Sequence, residues 1–502
     1  MPFLDAIAYV LNPFDWPLYL MVFGTVLSIF IGAVPGLTGG MLISLCIPLT
    51  FGMDATHALV MLVAMYVGSV SGGLVSATLL RMPGTPSSVM TTLDGYPMAR
   101  KGQPERALAL AIGASVIGGL IAAVFLVFFT KPLSKLAIQF SPFEYFTMVL
   151  MAIVLIATLS QGSMIKGLIS GLLGMALALP GFNDSDGQLR LTYGFREFDD
   201  GFKVLPVLLG IFVMSQVIKE AFGRKKKHLK LDVSDGRVLV PLREWLSYKW
   251  NIVRSGLIGT WIGILPGVGA SISSMVAYGV TKNLSKKPEK FGTGAPEGIV
   301  ASESANNANV GGALIPLLAF GIPGSPIDAI LLAAFIVHGI QPGPLLMLSN
   351  ADFAWAVIAS YVLAVVLVFI VMTLSVRRMA RIILFDRAFL MPLIAVACVV
   401  GAYATGNRFF DIWVVIIFGF LGFGLEIYKV PLGPFVIGFV LTPIFEEQLR
   451  ASLQMGDNGL WDIVTKPYPI AFSFVVVSLI MLIWPLAGQW MNRNPKAGAP
   501  DT

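Results

Sequence analysis

Between Ser304 and Ile327 the chain runs without a charge for long enough to cross a bilayer core of about 30 Å, yet Glu303, Asn306, Asn307 and Asn309 stand at its start. A charged side chain near the bilayer centre costs about 2.5–3.5 kcal/mol on insertion scales, so such groups face a cavity, a partner or an ion. On a helix Glu303 shares a face with Asn306 and Asn307, three and four residues on. Gly321-Ile322-Pro323-Gly324-Ser325-Pro326 then breaks the helix within apolar sequence. Unwound backbone at that depth is tolerated only where protein buries it or it lines an aqueous site.

The chain as a whole agrees. With 56% hydrophobic and 12% charged residues it lies outside soluble averages and reads as an all-α polytopic membrane protein, embedded in a lipid bilayer. A net charge of +6 does not point to nucleic acid, because the basic residues cluster in short loops, the pattern that sets membrane orientation. Cys46 and Cys398 lie in apolar runs and read as buried thiols. His57, His228 and His338 are too scattered for a metal site, and the N-terminus lacks the basic region of a cleaved signal peptide.

No Lys or Arg precedes Arg81, and the uncharged run Trp16–Met53 is interrupted at Val34-Pro35-Gly36-Leu37-Thr38-Gly39-Gly40, which predicts two half-helices meeting at a tip. Ala55–Leu80 then carries Gly72-Gly73 and ends in Arg81-Met82-Pro83-Gly84-Thr85-Pro86-Ser87-Ser88. After Arg254 the same order returns: a break at Pro266-Gly267-Val268-Gly269-Ala270-Ser271, then Gly311-Gly312, then Pro323-Gly324-Ser325-Pro326. The basic stretch around Arg224-Lys225-Lys226-Lys227 reads as cytoplasmic, and the acidic loop of Asp184, Asp186, Glu197, Asp199 and Asp200 as external. Counting spans from these anchors turns the first hairpin outward and the second, flanked by basic loops, inward.

Two like units of opposite orientation predict an inverted repeat with re-entrant hairpins and broken helices. The first occupies 1–222 (hairpin 16–53, broken helix 55–90, spans to 222), a basic cytoplasmic linker 223–250, and the second 251–502 (hairpin 252–281, broken helix 298–347, scaffold spans to 490). Further spans are expected near 107–130, 145–165, 164–183, 204–222, 329–347, 353–376, 388–405, 412–428, 430–445 and 468–490.

The strings PGLTGG, MPGTPSSVMTTLDGYPMARKG, LPGVGA and ESANNANVGGALIPLLAFGIPGSP, with the overall length, resemble the large membrane subunit of the tripartite tricarboxylate transporters, the TctA family. The resemblance covers nearly the whole chain. It implies a secondary transporter of the bacterial inner membrane, working with a small membrane subunit and a periplasmic solute-binding protein that delivers a citrate-like carboxylate. Similarity to other binding-protein-dependent carriers implies elevator-like movement. Ahead of the Asn pair the family pattern often has Pro-Glu-Ala-Ala, where this chain has Ser302-Glu303-Ser304-Ala305.

Such a substrate must exchange its hydration for fixed donors, which free N–H groups at helix N-termini supply. The substrate-binding candidates are Pro35, Gly36, Thr38 and Gly39; Gly84, Thr85, Pro86, Ser87 and Ser88; Gly267, Gly269 and Ser271; Gly324 and Ser325; and Asn306 and Asn307. Arg81 adjoins one break, where it either pairs a carboxylate or snorkels to the interface. For the coupling ion, unwound carbonyls with Asn306 and Asn307 offer Na⁺ ligands, while Glu303 or Asp94 offers a proton site. No cofactor is expected beyond that ion. The competing classes are an intramembrane enzyme using Glu303 or Asp94, for which zinc, Gly-x-Ser-x-Gly and paired-aspartate motifs are missing, and an anion channel.

Overall fold

The computed structural model describes residues 3–159, 163–183, 187–222, 240–382, 387–455, 459–462 and 468–493. The first helices are α1 (Phe3–Val10), α2 (Trp16–Ala33) and α3 (Gly39–Cys46), the last extended by a 3₁₀ turn at Ile47–Thr50. The starts of α2 and α3 have a chemical reason: Asp15 accepts the Trp16 N–H at 2.7 Å, and Thr38 accepts that of Met41 at 3.2 Å. Then come α4 (Ala55–Leu80), a 3₁₀ turn at Pro86–Val89, α5 (Thr91–Arg100) and α6 (Pro104–Ala137). α7 (Pro142–Leu159) and α8 (Met164–Ala178) precede a two-residue antiparallel pair, β1 (Gly181–Phe182) with β2 (Leu189–Arg190).

α9 (Val204–Leu208) and α10 (Ser215–Phe222) are joined by a π-helical segment. The second hairpin is α11 (Leu242–Ile264) and α12 (Gly269–Leu284), followed by α13 (Pro296–Phe320), α14 (Pro326–Val337) and the short α15 (Leu346–Ser349). The remaining helices are α16 (Ala351–Ile382), α17 (Arg387–Gly406), α18 (Phe409–Ile427), α19 (Leu432–Met455) and α20 (Pro469–Arg493). Among the described residues seven helices are long and apolar enough to cross a membrane.

Two expectations need correction. The span near 329–347 does not form, because α14 stops at Val337 and the chain turns through Gly339, Pro342 and Gly343 before the four residues of α15. Proline there removes a donor, and Gly343 at φ 136° lies outside any helix. The second hairpin also starts sooner than expected, since α11 begins at Leu242, within the stretch read as linker. Residues 223–239 of that linker, His228 among them, lie outside the described residues, as do Asp184 and Asp186.

The chain divides into two compact units, Met1–Ile138 with Phe202–Tyr428, and Gln139–Gly201 with Lys429–Thr502. In the first unit α4 from Ala58 to Leu79 and α13 from Gly298 to Ala319 are buried on every side, so these two helices are its axis. α2 runs beside α4 in the same direction, as Gly24 lies against Met61, Gly68 against Thr25 and Gly72 against Ile29. α3 therefore carries the chain back, and His57 at the start of α4 comes within 3.7 Å of Asp15 at the start of α2.

α11 and α13 repeat this arrangement, with Gly259 against Ala305 and Gly312 against Thr260. α12 returns along α13, where Ser273 accepts from Asn309 at 2.7 Å and Ser274 donates to the Ser302 carbonyl at 3.2 Å. Thr281 closes that hairpin's base by donating to Asn251 at 2.8 Å. The helices approach backbone to backbone: a Cβ on Gly72 would sit 2.3 Å from the Ile29 carbonyl oxygen, and one on Gly312 2.3 Å from that of Thr260.

α4 and α13 run in opposite directions. Tyr66 of α4 reaches Ser325 beyond the end of α13, Ser71 meets Asn307 at its middle, and Thr78 lies against Gly95, next to Asp94, which contacts Gly298 near its start. α6 runs with α13, Gly118 against Ser304, and Tyr361 of α16 fills the space beside Gly119 and Gly311. In the second unit α8 and α19 meet through Gly174 and Gly438, α7 and α20 through Phe143, Phe146 and Ala471, and Arg190 holds Glu446 with a 2.6 Å bond from one guanidinium nitrogen.

Candidate functional site

The polar residues of the two axial helices meet where α4 crosses α13. Ser71 donates to Asn307 Oδ1 at 2.6 Å, and the Asn307 amide donates back to the Glu303 carbonyl at 3.3 Å. Tyr361 donates to the Gly119 carbonyl at 3.1 Å and to that of Asn307 at 3.4 Å, tying α16 and α6 to the same level. All of these residues are buried. Each is held because its polar atom must find a partner inside the bundle.

Glu303 is completely buried, and its carboxylate is met by Thr91 from α5, by Ser115 from α6 at 3.0 Å and by the Asn306 amide at 3.4 Å. All three are neutral donors. Glu303 thus lies in a polar, uncharged niche one helical turn from the Ser71–Asn307 contact. Asp94, the other acid singled out in the sequence, is separate from it. It accepts the backbone N–H groups of Gly292, Gly294 and Ala295 and the Tyr278 hydroxyl, each at 2.8 Å. That is a capping arrangement, which fixes the loop ahead of α13 and stands on the cluster of Tyr278, Phe291, Ala295 and Met90.

The four Pro-Gly breaks gather about the crossing. Pro35 and Gly36 follow α2 at the level of Ser69, since Gly32 packs on the Ser69 carbonyl; Gly36 is exposed and Thr38 half-buried. Gly84 packs against Gly32 and Gly73, and the Thr85 hydroxyl lies against Gly73, two residues beyond Ser71. Opposite, Gly267 donates its N–H to the Gly324 carbonyl at 2.8 Å, and Gly324 packs against Gly263 and Ala313. Ala313 is six residues beyond Asn307, so both sets of breaks lie within about 10 Å of the crossing along the helix axes.

Within the breaks several hydroxyls are already engaged. Thr85 Oγ1 lies 3.0 Å from Ser87 Oγ, Ser88 donates to the Thr85 carbonyl at 2.9 Å, and the Thr85 N–H donates to Ser88 Oγ at 3.4 Å as part of a capping box. Gly269, at φ 71°, and Ser271 are half-buried beside the second tip. Arg81 lies apart from the buried cluster: it is exposed, its guanidinium 5.9 Å from the Tyr96 ring centre, and it takes a left-handed φ of 54°. Gly321 takes that conformation at the equivalent end of α13.

Four side-chain atoms of this region are buried with no protein partner among the described residues: Ser304 Oγ, Asn306 Oδ1, Asn309 Oδ1 and Asp328 Oδ1. Three are bare hard oxygens, the donor type that a small cation selects. No three His, Cys, Asp or Glu side chains gather among the described residues. Ser71, Thr91, Ser115, Tyr66 and Asp328 escape sequence reasoning. Asp328 alone had a signal, standing first after the uncharged run at the fourth position of Ser325-Pro326-Ile327-Asp328.

Comparison with known proteins adds what geometry cannot. Residues 18–437 match the model of the tripartite tricarboxylate transporter TctA family. An uncharacterized 52.8 kDa protein of Agrobacterium vitis, from the TAR-I ttuC' 3' region, is 33% identical over 481 residues, 94% of each chain. A second from that organism, from the TAR-II ttuC' 3' region, is 36% identical over 243 residues, 48% of this chain and all of its own length. No solved structure matches. The polar crossing between broken helices therefore sits in a multi-pass membrane protein that belongs to the tripartite tricarboxylate transporter TctA family.

Proposed function

We propose that this chain is the large permease subunit of a binding-protein-dependent carrier, taking up a citrate-like carboxylate across a bacterial inner membrane with a small membrane subunit and a periplasmic receptor. The observation that supports it most is the opposed run of α4 and α13, whose breaks lie close to a buried polar crossing with no basic side chain in its hydrogen bonds. Read as an inverted repeat, each half offers one hairpin tip and one helix start to a common level.

A carboxylate there meets backbone N–H groups at Gly36 on one side and at Gly324 and Ser325 on the other, while those of Gly84, Thr85 and Gly267 hold the breaks in shape by donating to the Gly73 carbonyl, Ser88 Oγ and the Gly324 carbonyl. Hydroxyls of Thr38, Ser87 and Ser271 add donors, and Asn306 and Asn307 complete the wall. Cation coupling supplies the countercharge, with Glu303 and the oxygens of Asn306 and Asn307 as its ligands, and Asp94 as a positioning residue. Alternating exposure follows from elevator-like movement of the broken-helix core.

Uptake into proteoliposomes, with the receptor and the small subunit added, tests this against a panel of labelled acids. The expected result is saturable uptake that needs both the receptor and a Na⁺ or proton gradient. Consumption of the acid without a gradient would make the protein an enzyme, and current that does not saturate would make it a channel.

A further inference from the structure

A second acid lies deep in the first unit, away from Glu303. Asp328, in the first turn of α14, is completely buried. Its Oδ2 receives a long 3.5 Å bond from the Tyr66 hydroxyl, and its own N–H donates to Ser325 Oγ at 3.3 Å. Tyr66 Oη in turn lies 3.1 Å from Ser325 Oγ. Asp328 Oδ1 has no hydrogen-bond partner among the described residues.

Among the described residues, the elements that pack most closely on α14 bring Asp328 no countercharge. α14 packs against α3, α4, α9 and α13. α3 and α9 carry no acidic or basic residue, Tyr66 is the titratable group that α4 presents, and Glu303 of α13 turns to Thr91 and Ser115 instead. Among the described residues no Lys, Arg or His forms an ion pair with Asp328. A buried carboxylate in that condition is costly unless something positive joins it.

The two halves make the point sharper. Thr85-Pro86-Ser87-Ser88 follows the first break and Ser325-Pro326-Ile327-Asp328 the second, so the acid occupies the place that Ser88 fills with a self-contained cap. Ser325 already caps α14 by accepting the Asp328 N–H, and the carboxylate still keeps Oδ1 unpaired among the described residues. Along the axis, Tyr66 stands five residues before Ser71 and Glu303 four before Asn307 on oppositely directed helices. The two acids are therefore served at levels roughly 13 Å apart, on opposite sides of the crossing.

We propose that Asp328, with Ser325 and Tyr66, forms a second cation site, distinct from that of Glu303, which takes one monovalent cation, a proton or Na⁺. The bare Oδ1 receives the charge, while the serine and tyrosine oxygens orient the carboxylate. It rests on the cation-coupled reading above, and it gives the carrier two acids, one on either side of the crossing.

The test reads binding and not transport. Full-length protein in nanodiscs is titrated with Na⁺ against choline at fixed pH, then with pH in Na⁺-free choline, while infrared difference spectra record the carboxyl bands. One band is expected to respond in one of the two arms, to vanish in Asp328→Asn and to persist in Glu303→Gln; the arm that moves it names the cation. A difference spectrum unchanged in Asp328→Asn, or no response in either arm for the wild type, overturns the site. Should Asp328→Asn fail to fold, Tyr66→Phe decides, through a midpoint displaced about tenfold if the hydroxyl serves the charged site; an unmoved midpoint overturns it. A protein that shows the band but moves no carboxylate sinks the carrier reading alone.

Discussion

The hydroxyl of Ser71 and the side-chain carbonyl of Asn307 meet at 2.6 Å, joining the two central helices of the first unit across 236 residues of sequence. Both residues are buried, so each is the other's substitute for water. Ser71→Ala and Asn307→Ala should each lower stability by about 1–3 kcal/mol, because each leaves a buried group unpaired. The double variant should cost less than the sum, and thermal melts in detergent give the cycle. Strict additivity would mean that the contact carries no energy.

Glu303→Gln keeps the shape of the side chain and part of its bonding to Thr91 and Ser115. Insertion and melting should change little. Uptake driven by an ion gradient should fall at least tenfold, whereas exchange of labelled for unlabelled substrate at zero gradient should survive. Normal gradient-driven uptake in this variant would remove Glu303 from the coupling machinery.

Orientation can be read from the hairpin bases. His57, 3.7 Å from Asp15, marks the base of the first, and Lys286 lies just past the second, beyond Thr281. Both native cysteines are buried, so their labelling background is low. A membrane-impermeant maleimide added outside cells should label His57→Cys and not Lys286→Cys. Labelling of both from one side would rule out the proposed inverted repeat.

Arg81 adopts a left-handed backbone that costs a non-glycine residue about 1 kcal/mol or more, in the place where α13 ends on Gly321. Arg81→Gly should therefore raise the melting temperature. Because the guanidinium is exposed beside Tyr96, KM for the carboxylate should stay unchanged. A large rise in KM would return Arg81 to the list of substrate ligands.

Asp54 caps α4 in the turn between helices. Partial burial works against its charge, but the amides of Thr56 and His57 outweigh this and hold its carboxyl below the ordinary value. A depressed folded pKa means stability that is present above the unfolded pKa of about 3.9 and is lost as pH falls through the folded one. Asp54→Ala should cost about 1 kcal/mol at neutral pH. The gap between variant and wild type should narrow as pH falls below the unfolded pKa of about 3.9, as melts along an acid series will reveal.

Much of this was legible before any coordinates. Hydropathy located the helices, since a run such as Ala55–Leu80 can only be a helix in lipid, and the Pro-Gly pairs marked where Val34 and Leu265 leave it. The acid in the apolar run, Glu303, announced itself by cost. What stayed hidden was partnership: nothing in a lone hydroxyl at Thr91 or Ser115 says that it will face Glu303 from another helix. Asp94 stood in a motif that drew attention, yet three backbone N–H groups from a loop some two hundred residues away fill its lone pairs. The span near 329–347 failed because hydropathy continues through Gly339-Ile340-Gln341-Pro342-Gly343 where helical hydrogen bonding does not.

Each hairpin's return arm leans on the other half of the sequence. Gly39 and Gly40 of α3 lie near Ile327 and Ile330 of α14, with Thr50 bonded to His338 at 2.9 Å, while α12 lies beside α5 through Tyr278 and Asp94. Such cross-bracing makes neither half a self-sufficient folding unit. Severed into two genes, this polypeptide should yield material that survives the cell's proteases only when both pieces are synthesised together.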